Sequence, residues 1–448
     1  MPETDMARRE ERIAATGGEW KNRALLAAYR GCLSLAYAAG FPYLARRYRE
    51  GLAERRGFLP EPLCRLGTER PLWIHAVSVG EVQAASPFIA AARESGFSAP
   101  LVLSTTTPTG RTMAERLVGP AADALFYYPW DVPRIVRRAV SALRPRGYVA
   151  METEVWPELL GQLDERGIPL FLVNGRLSER TFRKALRWRS FWSMLLNRFT
   201  LLLFREEEDG EKARFLGVDP ERIHVVGDAK VEALLRRRDK GPFSLPSAPP
   251  PGGPVFVAGS THEGEEEIVL DAFRRVRRIL SDARLVLVPR HPERAEAILT
   301  LLRTRNEERG EALKSERLSQ CDLSASWTIL VVDRVGVLFE VYRWGRSAFV
   351  GGSLVPRGGQ NLLEPAAWGV PVQHGPFVED FAAAAEKLGR LGMAQTVRNA
   401  EELAAAWTGC GGPGAEKRRS DLCRAFFDEE GHAASRAWKL VSERLVSE

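Results

Sequence analysis

The sequence predicts an α/β protein made of two domains of similar size. Three observations carry this. Short apolar runs alternate with helical patterns from Leu72 onward. The stretch Lys240–Pro254 (KGPFSLPSAPPPGGP) interrupts that alternation with proline, glycine and serine. The alternation then restarts. At 448 residues the chain exceeds what one hydrophobic core ordinarily organises. Its 45% hydrophobic and 27% charged residues are those of a soluble globular protein. A net charge of +6 favours an anionic surface or substrate and is not by itself a nucleic-acid signature, so none is expected as a partner. The five cysteines are scattered, without C-x-x-C spacing, which fits a reducing compartment and no zinc site.

In order along the chain, Met1–Arg23 is polar and charged and reads as a mobile leader. Leu25–Leu44 is apolar and about long enough to span a bilayer, but Arg30 lies inside it and Gly40 and Pro42 interrupt it. Arginines and a lysine flank it on both sides. It reads either as a helix lying in an anionic membrane face or as an ordinary core helix. The apolar runs of the first domain are Leu72–Val77, Leu101–Thr105, Tyr148–Met151, Pro169–Val173, Leu201–Phe204 and His224–Val226. Helical patterns such as Val82–Arg93 and Glu158–Arg166 lie between them. Continuous β runs joined through helices imply a parallel sheet. In the second domain the runs are Val255–Ala258, Leu285–Val288, Ile329–Val332, Ala348–Val350 and Val370–Gln373. Thr304–Ser326 is charged and reads as a surface insertion, and the stretch from Ala400 to the end as amphipathic helices. Ligands of such sheets bind at the carboxyl ends of the strands.

The chemistry stands at those ends. Ser78-Val-Gly-Glu81 follows the first run, and Glu152-Thr-Glu154 follows the run ending at Met151. A cluster of buried acids raises a pKa and supplies a base, although Glu81 also fits a capping box with Ser78. In the second domain His262 follows the first run, Arg290 and His291 the second, and Gly336 the third. The run Ala348–Val350 enters Gly351 and Gly352, then Gly358 and Gly359, then Asn361-Leu-Leu-Glu364. Asn361 reads as the N-cap of a helix whose free N–H groups suit a phosphate. There is no P-loop, no G-x-S-x-G, no H-E-x-x-H and no D-x-D. Neither domain's first strand runs into G-x-G-x-x-G, which argues against a dehydrogenase.

The strings HAVSVGE (75–81), STTTPTG (104–110), METEVWPE (151–158), NGRLSER (174–180), GSTHEGEEE (259–267), LVPRHPER (287–294) and VGGSLVPRGGQNLLEPAAWGVPV (350–372) resemble the 3-deoxy-D-manno-octulosonic acid (Kdo) transferases of lipopolysaccharide synthesis. They span the chain from about Leu72 to Pro376. The resemblance implies a GT-B glycosyltransferase with two Rossmann-like domains facing a cleft. It implies residues 1–50 as leader and membrane-associated helix, 51–240 as the acceptor domain, 241–254 as linker, and 255–448 as the donor domain with the C-terminal helices. The donor would be CMP-Kdo, the acceptor a lipid A precursor (lipid IVA), and the place the cytoplasmic face of the inner membrane, with no metal or cofactor. Glu81 would be the general base and Glu152 its partner acid. Pro289, Arg290, Gly336, Val337, Leu338, Asn361, Leu362, Leu363, Glu364 and His262 would bind the donor, and Lys230 its carboxylate or phosphate. Glu54 is a weaker catalytic candidate. The sequence departs from the family's usual residues at Gln360, Asp380 and Gly175. A GT-B enzyme using a UDP- or GDP-sugar is the nearest rival reading. A nucleotide-sugar epimerase and a non-enzymatic membrane-binding module are further ones.

Overall fold

The computed structural model describes residues 3–241, 243–310, 313–323, 326–410 and 414–446. The chain forms two compact units: Met1–Ala233 with Glu430–Glu448, and Leu234–Glu429.

The first unit carries strands β1 (Leu72–His75), β2 (Leu101–Thr105), β3 (Ala124–Tyr127), β4 (Gly147–Met151), β5 (Leu170–Gly175), β6 (Leu201–Phe204) and β7 (Ile223–Val225). They form one sheet in the order β3-β2-β1-β4-β5-β6-β7, with every pairing parallel. The second unit carries β8 (Val255–Thr261), β9 (Arg284–Pro289), β10 (Ser315–Arg317), β11 (Ile329–Val331), β12 (Ser347–Val350), β13 (Val372–His374) and β14 (Ala394–Thr396). Their order is β10-β11-β9-β8-β12-β13-β14, again all parallel. A sheet covered on both faces needs apolar side chains on both, so its inner strands read as continuous runs. Leu72, Trp73 and Ile74 are all fully buried. Trp73 packs into the core on one side of the sheet, and Leu72 and Ile74 into the other.

Seven helices matter below: α1 (Glu3–Arg47), α2 (Val79–Glu94), α3 (Pro157–Asp164), α4 (Ala229–Lys240), α5 (Glu265–Arg277), α6 (Leu363–Ala367) and α7 (Ala433–Val446). Three sequence expectations change. The leader expected to be mobile is helical from Glu3. The charged stretch 304–326 is not a bare insertion: the helix Ala295–Arg309 runs into it, and β10 adds an edge strand to the sheet. The sequence places the C-terminal helices together in the second domain, but α7 packs on the first unit. Ala434, Ala437, Trp438 and Val441 join the core that holds Phe88 and Ile89. The Glu232 carboxylate accepts the N–H groups of Ala434 (2.9 Å) and Ser435 (3.2 Å), satisfying the start of that helix.

The proline-rich linker is not a loose tether either. The buried Glu340 carboxylate accepts the N–H groups of Ser244 (2.7 Å) and Leu245 (2.8 Å), and Trp344 Nε1 donates to the Pro246 carbonyl (2.9 Å).

Candidate active site

In the first unit the strand β1 ends at His75, and Val77-Ser78 turns the chain into α2. Glu81 is the third residue of that helix and is only 7% exposed. Its carboxylate accepts the Val77 N–H (2.7 Å) and the Ser78 hydroxyl (3.2 Å). The expected capping box is therefore not made: Glu81 reaches back past the N-cap to Val77, and Ser78 donates to the acid and does not cap the helix. Burial, with the charges of Glu154 and Glu152 adding to it, pushes the Glu81 carboxyl up to about 8 against these two bonds. Glu154, bonded to Trp156 Nε1 (2.9 Å), is pushed up to about 7 by burial, with Glu152 adding to it. Glu152 and Glu154 lie in the turn between β4 and α3, not in a helix. Glu152 has a left-handed backbone (φ +58°), which a non-glycine residue adopts at a cost, and such strain clusters at functional sites.

Lys230 completes the cluster. Its ammonium lies 2.5 Å from Glu152 Oε1. It also lies near the start of α2, where a side chain on Gly80 would stand 3.5 Å from it. Asn174, another left-handed residue (φ +59°), holds α4 in place by accepting the Ala229 N–H at 2.9 Å. Sequence reading gave Asn174 no role of its own, since an isolated asparagine in NGRLSER carries no spacing signal. His75 is fully buried, stacked on Tyr128 (centroids 3.9 Å apart) and held by Ser104, and burial lowers it to about 3, so it is neutral. Glu54 accepts the Tyr127 N–H at 2.5 Å.

In the second unit β11, β9, β8 and β12 are consecutive neighbours, so their exits share one edge. Arg290 follows β9, with an exposed side chain and its N–H on the Thr261 carbonyl (2.9 Å). Glu364, in the first turn of α6, is raised by burial in spite of the opposing charges of Arg237 and Arg290. Arg237 also donates to the Gly336 carbonyl (3.2 Å). Gly336 and Glu364 thus share a neighbour, Arg237, that the sequence did not single out, and Glu364 also feels the charge of Arg290. His262 and His291 lie edge to face (5.9 Å) in a cavity of about 600 Å³ that also takes Arg294 and Arg357. Pro289, Val337 and Leu362 are buried, while Leu338 and Leu363 are half-buried.

One expectation at the glycine loop needs correcting. Asn361 does not cap α6; that helix begins at Leu363, and the Asn361 side chain accepts the Leu363 N–H (3.1 Å) in a local turn. The N–H groups of Gly352, Ser353 and Leu354, earlier in the same loop, are all taken by the buried Glu265 carboxylate, at 2.8, 3.0 and 2.9 Å.

The first unit matches the family model described as 3-deoxy-D-manno-octulosonic-acid transferase (kdotransferase), over residues 50–233. The 3-deoxy-D-manno-octulosonic acid transferase of Haemophilus influenzae is 34% identical over 343 residues, 75% of this chain and 77% of that one. The chain belongs to the Kdo transferase family. It is a glycosyltransferase. Its architecture matches solved structures at 80% or more coverage. One is a UDP-N-acetylglucosamine 2-epimerase from Listeria monocytogenes (TM-score 0.57, 13% identical, 84% of this chain and 97% of that one). Another is the glycosyltransferase of kitacinnamycin (TM-score 0.51, 15% identical, 84% and 98%). These identities speak for the fold alone, which is GT-B. In this Kdo transferase the acids of HAVSVGE and METEVWPE therefore lie inside the stretch that the family model covers.

Proposed function

We propose that the protein moves Kdo from CMP-Kdo to a hydroxyl of a lipid A precursor, lipid IVA, with inversion at the Kdo anomeric carbon. The observation that carries the chemistry is the carboxylate cluster of the first unit: a carboxyl pushed up to about 8 beside two further acids and one ammonium. A group with that affinity for a proton takes one from a sugar hydroxyl more readily than an ordinary carboxylate does. In this reading Glu81 accepts the acceptor's proton and the acceptor oxygen bonds to the anomeric carbon. The bond from that carbon to the phosphate oxygen breaks, and CMP leaves with its electron pair.

Glu152 shares the cluster's charge and holds Lys230, which is available to a donor carboxylate or phosphate. Arg290 meets the leaving phosphate, and Glu364 the ribose hydroxyls. With cationic side chains in that role, transfer needs no metal and is expected to survive EDTA. The acceptor is a membrane lipid, and we assign the enzyme to the cytoplasmic face of the inner membrane. Support comes from α1, whose segment Trp20–Arg47 is long and apolar enough to cross a membrane by length and composition.

The test is release of CMP from CMP-Kdo with and without lipid IVA, followed by mass spectrometry of the lipid. Lipid-dependent release with a gain of whole Kdo units is expected. Glu81→Gln should abolish transfer and keep CMP affinity, and Arg290→Ala should weaken donor binding at least tenfold. Turnover of UDP- or GDP-sugars in place of CMP-Kdo would overturn the donor assignment. Loss of transfer in Glu54→Gln, with transfer intact in Glu81→Gln, would move the base to Glu54.

A further inference from the structure

Glu265 is fully buried at the start of α5, and its carboxylate is an acceptor for two loops at once. From the β8 exit it takes the His262 N–H (2.9 Å), and from the β12 exit those of Gly352, Ser353 and Leu354. Successive N–H groups that curl round a left-handed glycine (Gly352, φ +68°) make an anion-binding concavity. Here the protein fills that concavity with its own anion. The packing leaves nothing else room: a side chain on Gly351 would stand 2.5 Å from the Ser260 carbonyl and 2.8 Å from the Glu265 carboxylate.

What hangs on the two loops is the set of candidate donor residues. The His262 ring rides on the first loop. The Thr261 carbonyl of that loop takes the Arg290 N–H (2.9 Å), and the Gly352 carbonyl of the second takes the Gly359 N–H (2.9 Å), two residues before Asn361. One carboxylate thus fixes the exits of β8 and β12 directly, and that of β9 through Thr261.

We infer that Glu265 is a positioning residue for the donor: an internal anion that sets the β8, β9 and β12 exits in register so that His262, Arg290 and the Asn361 turn meet one nucleotide. The inference rests on the second unit being the donor side. It also means that the N–H groups of Gly352, Ser353 and Leu354 are closed to the donor's phosphate.

The experiment compares Glu265→Gln, Glu265→Ala and Glu265→Asp in the full chain by steady-state transfer from CMP-Kdo to lipid IVA. Glutamine offers one acceptor oxygen and turns N–H groups toward N–H groups. It should raise the donor KM about tenfold or more and leave the acceptor KM within about twofold. Aspartate keeps the charge at shorter reach and should fall between glutamine and wild type. Alanine leaves the concavity empty, so formate or acetate at about 0.1 M should lower its donor KM again. A folded glutamine variant with an unchanged donor KM overturns the inference. So does a fall in kcat alone with both KM values unchanged, which marks a purely structural acid. If glutamine and alanine variants do not fold, aspartate decides by the same donor-to-acceptor split. Arg290→Ala separates the two readings. If it leaves the donor KM unchanged, the donor side is misassigned. If it raises the donor KM while the Glu265 variants do not, only the positioning role fails.

Discussion

Glu81 shows how one side chain serves two ends. Its bonds to Val77 and Ser78 shape the β1–α2 turn, and its burial beside Glu152 and Glu154 makes it a strong proton acceptor. A carboxyl whose folded pKa, about 8, lies above its ordinary 4.5 holds its proton more tightly in the folded protein. The stability this lends is complete below about pH 4.5 and is lost as pH rises through about 8. Glutamine can keep both bonds without that loss. Glu81→Gln is therefore expected to match wild type in urea unfolding at pH 4 and to exceed it at pH 9 by up to about 5 kcal/mol. In wild type the transfer rate should rise with pH along a limb set by the acid cluster, between about 7 and 8. Lys230→Met, which leaves Glu152 uncompensated, should move that limb to higher pH. A limb that stays put would detach Lys230 from the cluster. The carboxylates at the strand exits could be read from HAVSVGE and METEVWPE alone. The Glu265 arrangement could not, because GSTHEGEEE offers three acids in a first turn, where each also suits the helix dipole.

The helix α1 illustrates what sequence patterns say about elements and what they leave out. The apolar segment and the charge of Arg30 within it were evident, but not what the charge does. Arg30 pairs with the buried Glu158 at 2.5 Å, Tyr29 donates to the buried Asp131 at 2.8 Å, and Asn22 and Ser190 exchange hydrogen bonds. These contacts pin one side of the helix to the first unit. The opposite side, with Ala27, Ala28, Cys32, Leu35, Ala36, Ala39 and Tyr43, is exposed and carries no charge between Arg23 and Arg46. A core helix would bury that side, and a helix held midway by Arg30 and Tyr29 has no free middle to sink through a bilayer. The expected state lies in the plane of one leaflet. A fluorophore on Cys32, the other cysteines replaced, should be quenched by shallow lipid quenchers and hardly by bilayer-centre ones; deep quenching would mean a spanning helix. Arg30→Met should cost about 1–2 kcal/mol, given the partial exposure of Arg30 (35%), and Glu158→Gln should recover part of it. Short edge strands were illegible for a different reason. β10 (Ser-Glu-Arg) and β14 (Ala-Gln-Thr) pair through backbone with few apolar side chains, so nothing in their composition marks them.

For the whole molecule, two parallel α/β sheets could be read from alternation, and the match to GT-B structures agrees with that reading. Which unit the last helix joins could not be read, because an amphipathic stripe tells how wide a face is buried and not against what. Trp438 answers it here. It meets Phe88 and Phe97 edge to face (5.6 and 4.9 Å) and donates to Ser95 (2.7 Å). Trp438→Ala should destabilise the first unit by about 3–5 kcal/mol in chemical denaturation. CMP binding by the second unit should persist. Loss of both together in one transition would show that the two units unfold as one.

The same helix makes the second unit an insertion. Leu234–Glu429 interrupts the sequence of the first unit, whose last piece is supplied by residues 430–448. A recombinant half ending in the proline-rich stretch would lack its own closing segment and expose the apolar bed around Phe88. A peptide covering α7, added in trans, is what such a fragment would need to become soluble. A permuted chain that starts at α7 and runs on into α1 would keep the first unit whole.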